Sequence, residues 1–208
     1  MYDPNVSLND FLNAAAAKQP APGGGSVAAL AGALAASMGE MVLNYSVGKK
    51  SLAAHEPELR TALAEMTRAR HLLLQLMVED QFAYEALTAA KKLPESDASR
   101  QSEFNVALLT SIRIPQAMGA TAVAMLELAE KLVDKVNHYL LSDLAVCCEL
   151  SMATIRCASY NVRANLPDLT DAKDRESIEL SARRLTERGA TVIRQTIPRI
   201  WGRHGKSA

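Results

Sequence analysis

Residues 19–50, "QPAPGGGSVAALAGALAASMGEMVLNYSVGKK", decide the fold. Pro20 and Pro22 close whatever precedes them, and Gly23, Gly24 and Gly25 form a loop. From Val27 to Val47 nearly every residue is Ala, Gly, Leu, Met or Val. The run does not alternate and is too long for a strand, so it reads as a helix. Its small residues repeat every four positions: Ala28, Gly32 and Ala36, then Ala29 and Ala33, then Ala35 and Gly39. Helices approach closely only where side chains are this small, and i+4 rows then interlock. Such a helix belongs at the centre of a bundle or at a dimer seam. Ser26 reads as its oxygen cap, and Gly48 as its C-cap with Lys49 and Lys50 on the negative end of the dipole.

The ends ask for more than packing. A tight turn needs one glycine with positive φ, and here there are three before Ser26. Bare backbone leading into free helix N–H groups suits an anion or the polar edge of a ligand. Gly23, Gly24, Gly25 and Ser26 are therefore candidate binding residues, beside the plain turn reading.

Outward from this helix the chain reads as helical throughout. Ser7 with Asp10 three residues on suits a short capped helix over "LNDFLNAAAAKQ". A long helix is expected from about 56 to 91, with Leu59, Leu63, Met66, Leu73, Met77, Tyr84 and Leu87 on one stripe. Arg70 and Asp80 fall on that same stripe. "LPESDASR" breaks it. The next helix carries Leu108, Ile112, Met118, Met125 and Leu132, and Pro115 is expected to kink or divide it. "VNHYLLSD" reads as a connection, with Ser142 and Asp143 opening a helix that stops before Pro167. A charged amphipathic helix over about 174–197 comes last. Neither a repeat nor a flexible linker is visible, so residues 1–208 read as a single all-α domain, a multi-helix bundle.

The bulk properties narrow the function. Lys plus Arg and Asp plus Glu both number 23, for a formal net charge of zero. A nucleic-acid or membrane-surface partner usually leaves a basic excess, so neither is expected. Cys147, Cys148 and Cys157 form no disulfide framework and no zinc spacing, and the four histidines are scattered. No metal is expected, and reduced thiols fit a cytoplasmic protein. "MYDPNVSLNDFL" carries an early acid and no basic leader, so a signal peptide is not expected. Val27 to Val47 is long enough to be weighed as a membrane span. Alanine and glycine give it little hydrophobicity, and a central acid such as Glu40 costs about 3 kcal/mol there.

Together, "PAPGGGSVAAL", "NYSVGKK", "DQFAYEAL" and "LLSDLAV" resemble the cyclodeaminase/cyclohydrolase family of folate enzymes. The likeness runs from about residue 8 to residue 169. It implies an all-helical, dimerising subunit that works on the one-carbon bridge of tetrahydrofolate without a metal or a further cofactor. The implied reaction is hydrolysis of 5,10-methenyltetrahydrofolate to 10-formyltetrahydrofolate, with ammonia-releasing cyclisation of formiminotetrahydrofolate as the alternative. A non-catalytic folate-binding or dimerising protein is the third option. The family commonly follows Gly-Lys-Lys with another lysine and an aromatic, where Ser51 and Leu52 stand here. It commonly has Gly before the asparagine at 137, where Val136 stands here.

Both reactions pass through a tetrahedral carbon between nitrogens and need proton transfer, which a placed acid or base accelerates by about 10²–10⁴-fold. Asp80 is the candidate carboxylate: on a buried stripe its pKa rises, unless it forms an ion pair with Arg70. The resemblance favours Lys49 as its catalytic partner, with Lys50 on the folate's glutamate carboxylates. Tyr84 follows Asp80 by one turn and reads as core or as a substrate contact. Asp143 can accept two bonds side by side from a pterin's amide and amine, or can simply open a helix. Asn137 lies in the family's segment before Ser142. Asn161 and Asn165 share a helix face, and Asn161 lies roughly 27 Å along it from Asp143. A long ligand, two separate sites or a dimer seam would each account for that gap.

Overall fold

The computed structural model describes residues 6–204, except the side chain of His204. The first five residues of the segment read for a leader lie outside them. Six α-helices run in chain order: α1 (Leu8–Ala16), α2 (Gly24–Asn44), α3 (Glu56–Lys92), α4 (Arg100–Leu132), α5 (Leu141–Asn165) and α6 (Ala172–His204). Short 3-10 turns precede α3 and α5 and follow α5, and no strand occurs among the described residues.

The centre of the bundle is α2. It packs against α3 on one side and α5 on the other, α4 bridges α3 and α5, and α6 lies across α5 and α4. Ala28, Ala29, Ala35, Ala36 and Gly39 are buried, as close approach requires. A Cβ at Gly32 would lie 3.0 Å from Leu73 and 3.1 Å from Thr154. One at Gly39 would lie 3.0 Å from Met66 and 3.3 Å from Cys147 Sγ. With Gly24 beside Asn161, these contacts set α5 antiparallel to α2. Cys147 and Cys148 are buried and free, and burial pushes the Cys147 thiol up to about 12. Phe11 pins α1 onto the same core. Ser7 caps α1, accepting from the Asp10 N–H at 3.1 Å.

Three expectations are corrected by backbone chemistry. Pro115 does not divide α4, which runs unbroken through it. Proline lacks the N–H that would reach the Ser111 carbonyl. Asn165 Nδ2 from α5 donates to that carbonyl instead, at 3.2 Å. Ser26 does not cap α2, which begins at Gly24 with Gly23 as its N-cap. Likewise Gly48 is not the C-cap, since α2 stops at Asn44. With φ at +77°, Gly48 turns the chain afterwards, and its N–H donates to Glu56 at 2.8 Å. By length and composition α2 and α4 could each cross a membrane, but 56% of α2's most apolar window is buried inside the bundle.

Candidate functional site

The start of α2 carries no side chain that could satisfy its free N–H groups, and no side-chain bond caps it from within. The cap comes from α3. A Cβ on Gly25 would lie 2.1 Å from Asp80 Oδ1, so the carboxylate rests directly on the backbone of the first turn. Only glycine permits that approach. Ser26 Oγ donates to Asp80 Oδ2 at 3.1 Å and lies 3.4 Å from the Met77 carbonyl. Gly24 does the same for a second neighbour, because its Cβ would sit 3.4 Å from Asn161 Oδ1. Two of the three glycines thus make room for polar side chains from other helices.

These groups surround a cavity of about 260 Å³. Gly23 to Ser26 form one wall, and Asp80, Gln81 and Tyr84 from α3 form the next. Ser111 and Pro115 come from α4, and Asn161 and Asn165 from α5. The two asparagines are held from behind. Asn161 Nδ2 donates to the Cys157 carbonyl at 2.9 Å, and Asn165 Nδ2 to those of Ser111 and Asn161. Asn161 Oδ1 faces Gly24 at the start of α2. A larger groove of about 670 Å³ between α3 and α4 is lined mainly by Ala86, Val106 and similar apolar groups. Its polar lining, Glu79, Ser102, Glu103 and Thr110, is set among apolar groups and includes neither the glycine turn nor Asp80.

Asp80 is the electrostatic centre. Burial pushes its carboxyl above the usual carboxylate range, and the bonds from the Ser26 hydroxyl and backbone N–H offset only part of that rise. The ion pair with Arg70 does not form. Arg70 Nε instead binds Glu40 of α2 at 2.6 Å. No Lys, Arg or His lines the cavity. Tyr84 is 46% exposed at the edge, so it is not a core residue.

The remaining candidates stand elsewhere. Lys49, Lys50, Asn137 and Asp143 do not line this cavity within the protomer. The physical reason is length: the 21 residues of α2 put its ends about 30 Å apart. At the far end Lys49 Nζ lies 5.9 Å from the Tyr139 ring, and His138 packs on that ring at 3.8 Å between centroids. Asn137 is buried and holds the loop. Its Nδ2 donates to the Tyr45 carbonyl, its Oδ1 accepts from Tyr139 N–H, and its own N–H donates to Ser46 Oγ. Asp143 lies in the first turn of α5, at the opposite end of that helix from Asn161 and Asn165. Among the departures from the family pattern, Leu52 and Val136 are buried and Ser51 is exposed.

Sequence reasoning missed Gln81, Ser111 and Pro115 as lining residues. Pro115 was the available signal. A proline inside a helix frees the carbonyl four residues back, and the group that answers it, Asn165, lines the same cavity.

The model of the family described as formiminotransferase-cyclodeaminase matches residues 7–184. The methenyltetrahydrofolate cyclohydrolase of Methylorubrum extorquens is 32% identical over 171 residues, covering 80% of this chain and 82% of that one. The formimidoyltransferase-cyclodeaminase of Gallus gallus is 30% identical over 184 residues, which span 86% of this chain but 34% of that longer protein. The crystal structure of formiminotetrahydrofolate cyclodeaminase from Thermotoga maritima superposes with a TM-score of 0.82 at 27% identity, over 97% of each chain.

Proposed function

The chain belongs to the formiminotransferase-cyclodeaminase family, and from that premise we propose that it is a methenyltetrahydrofolate cyclohydrolase. It would hydrolyse 5,10-methenyltetrahydrofolate to 10-formyltetrahydrofolate in one-carbon metabolism, in the cytoplasm. The observation that carries this reading is the Asp80 carboxylate, partly buried against Gly25 with no cation in its cavity.

The substrate's reacting carbon is an amidinium, positively charged and shared between N5 and N10. An ionised Asp80 supplies the opposite charge from a partly buried position, where such an interaction is stronger than in bulk water. Burial also raises its pKa, which makes the carboxylate a better proton acceptor than an exposed one. Water held by the carboxylate adds through oxygen to the amidinium carbon and gives its proton to Asp80. Asp80 returns that proton to N5 and the C–N5 bond breaks. The hydroxyl proton leaves to solvent as the formyl C=O forms on N10. Water and the folate are the only reactants this scheme needs. The helix terminus and the side chains of Asn161 and Asn165, which line the cavity, give the flat, polar pterin an edge to bind.

The size of the cavity fits a headgroup. At about 260 Å³ it lies below the roughly 300–1,000 Å³ of complete ligand sites. The p-aminobenzoyl-glutamate tail would lie beyond it.

The test is direct. Pure protein mixed with 5,10-methenyltetrahydrofolate should speed the loss of its near-ultraviolet absorbance above the buffer rate. Tight binding with no acceleration would leave a folate-binding protein and remove the enzyme. The close superposition on the Thermotoga maritima cyclodeaminase favours a second reading. Ammonia release from formiminotetrahydrofolate, with no gain on the methenyl compound, would select it.

A further inference from the structure

Proline is the least favourable residue for a helix interior, yet α4 carries one near its middle. Pro198 of α6 is exposed, so water can take the carbonyl it frees. Pro115 is buried and lines the Asp80 cavity, and the Ser111 carbonyl it frees is taken by a side chain. Asn165 Nδ2 donates to that carbonyl at 3.2 Å and to the Asn161 carbonyl at 3.1 Å. Both amide hydrogens are then spent. A carbonyl only accepts, so the amide cannot turn over without losing both bonds. Oδ1 alone remains to meet a ligand. Nothing among the described residues donates to it, and it is not sealed from solvent as Ser159 Oγ is. Three neighbours on the same wall also spend side-chain hydrogens on the protein. Ser26 donates to Asp80, Ser111 to the Ala107 carbonyl at 2.9 Å, and Asn161 to the Cys157 carbonyl. Lone pairs therefore outnumber free hydrogens on these four side chains.

We propose that Pro115 is a positioning residue for the ligand. By withholding its N–H it commits Asn165 to Ser111, and so fixes Asn165 Oδ1 as an acceptor for an N–H of the bound pterin. The cavity then favours a ligand edge that presents N–H donors, such as a pterin's amide and amine, over one that presents acceptors. An alanine at 115 changes the exchange. Its N–H would meet the Ser111 carbonyl inside α4. Asn165 would lose its sole hold on that carbonyl and could turn, setting Nδ2 where the ligand also has a hydrogen. The exchange of bonds stands on geometry alone, while naming the donor as a pterin rests on the folate reading.

Melting temperatures read the exchange. Asn165→Ala leaves the Ser111 carbonyl unpaired and should lower the melting temperature. In a Pro115→Ala background the helix N–H takes that carbonyl, and the drop should shrink to less than half. Equal drops in the two backgrounds would overturn the exchange.

Ligand affinity reads the positioning, with 5-formyltetrahydrofolate as a stable probe in titration calorimetry. Pro115→Ala, with a melting temperature at or above wild type, should bind it about tenfold more weakly, the worth of one hydrogen bond. In turnover of 5,10-methenyltetrahydrofolate, KM should rise by a similar factor and kcat should change by less. Unchanged affinity and KM would overturn the positioning and leave the enzyme reading intact. Weakened binding by the variant, with no turnover even by wild type, would support the positioning and sink the cyclohydrolase instead. A wild type that binds no folate would overturn both.

Discussion

At its N-terminal end α2 offers only the Ser26 hydroxyl, and other helices supply the remaining polar groups: Asp80, Asn161 and Asn165. At its C-terminal end the chain itself supplies them, as Lys49 and Lys50 with Tyr139 and His138 alongside. One end is an enclosed carboxylate without a base, and the other is a pair of bases in the open, with Lys49 half-buried and Lys50 exposed. A helix of 21 residues is both the scaffold and the obstacle. It fixes each half rigidly and holds them about 30 Å apart.

The largest expected effect breaks the enclosed half. Asp80→Asn keeps the shape and the acceptor for Ser26 but removes the charge and the proton carrier. Turnover of methenyltetrahydrofolate should fall by about 10²–10⁴-fold. Turnover within threefold of wild type would move the chemistry away from Asp80.

Gly25→Ala should come close to that loss by a different route. The added methyl would stand 2.1 Å from Asp80 Oδ1 and 2.5 Å from Cγ, so the carboxylate must leave the helix terminus. The gain in helix propensity, about 1 kcal/mol, offsets part of the crowding cost of about 1–3 kcal/mol. Activity should therefore drop far more than melting temperature. If both fell together, Gly25 would be chiefly a packing residue.

These two glycine–carboxylate effects mark where the sequence was legible. Apolar spacing located the helices, and α3 ends one residue beyond the expected 91, but the caps read for α2 were misplaced and α6 runs through Pro198 to His204, past the expected 197. The Gly23–Ser26 cradle and Asp80 could be named because each is locally odd: three bare residues before a helix, and one acid on an apolar stripe. Their contact could not be read. It depends on α3 crossing α2 so that a residue 54 positions away touches the first turn. Ser111 and Gln81 carry no local oddity, and only packing brings them in. The placement of Lys49 was hidden for the same reason, since composition fixes which ends are polar but not which ends meet.

Stability against pH sharpens the contrast further. The folded-state pKa of Asp80 is raised by burial above its unfolded value. Folding therefore takes up a proton between the unfolded pKa, about 3.9, and the higher folded one. The protein loses stability as pH climbs through that window, and the cost persists above it. Asp80→Asn, which carries no charge to bury, should melt at or above wild type at pH 7. That advantage should shrink toward zero below about pH 4. A melting point well below wild type at pH 7 would show that the carboxylate stabilises the fold, and that its site is a structural ion site.

The smallest effect belongs to the open half. Gly48 has φ at +77°, and an added Cβ would meet nothing within 4 Å. Alanine there is opposed by its own backbone only, at about 1 kcal/mol. That is the reverse of Gly25, where the backbone is helical and the neighbour is the obstacle. The chain can relieve the strain by relaxing the turn, and Lys49 is the next residue. If Lys49 serves a cavity on another subunit, Gly48→Ala should lower turnover by several-fold while melting temperature falls by only a few degrees. Asp80 chemistry confined to one protomer would leave turnover untouched, since nothing at this end reaches the cavity otherwise.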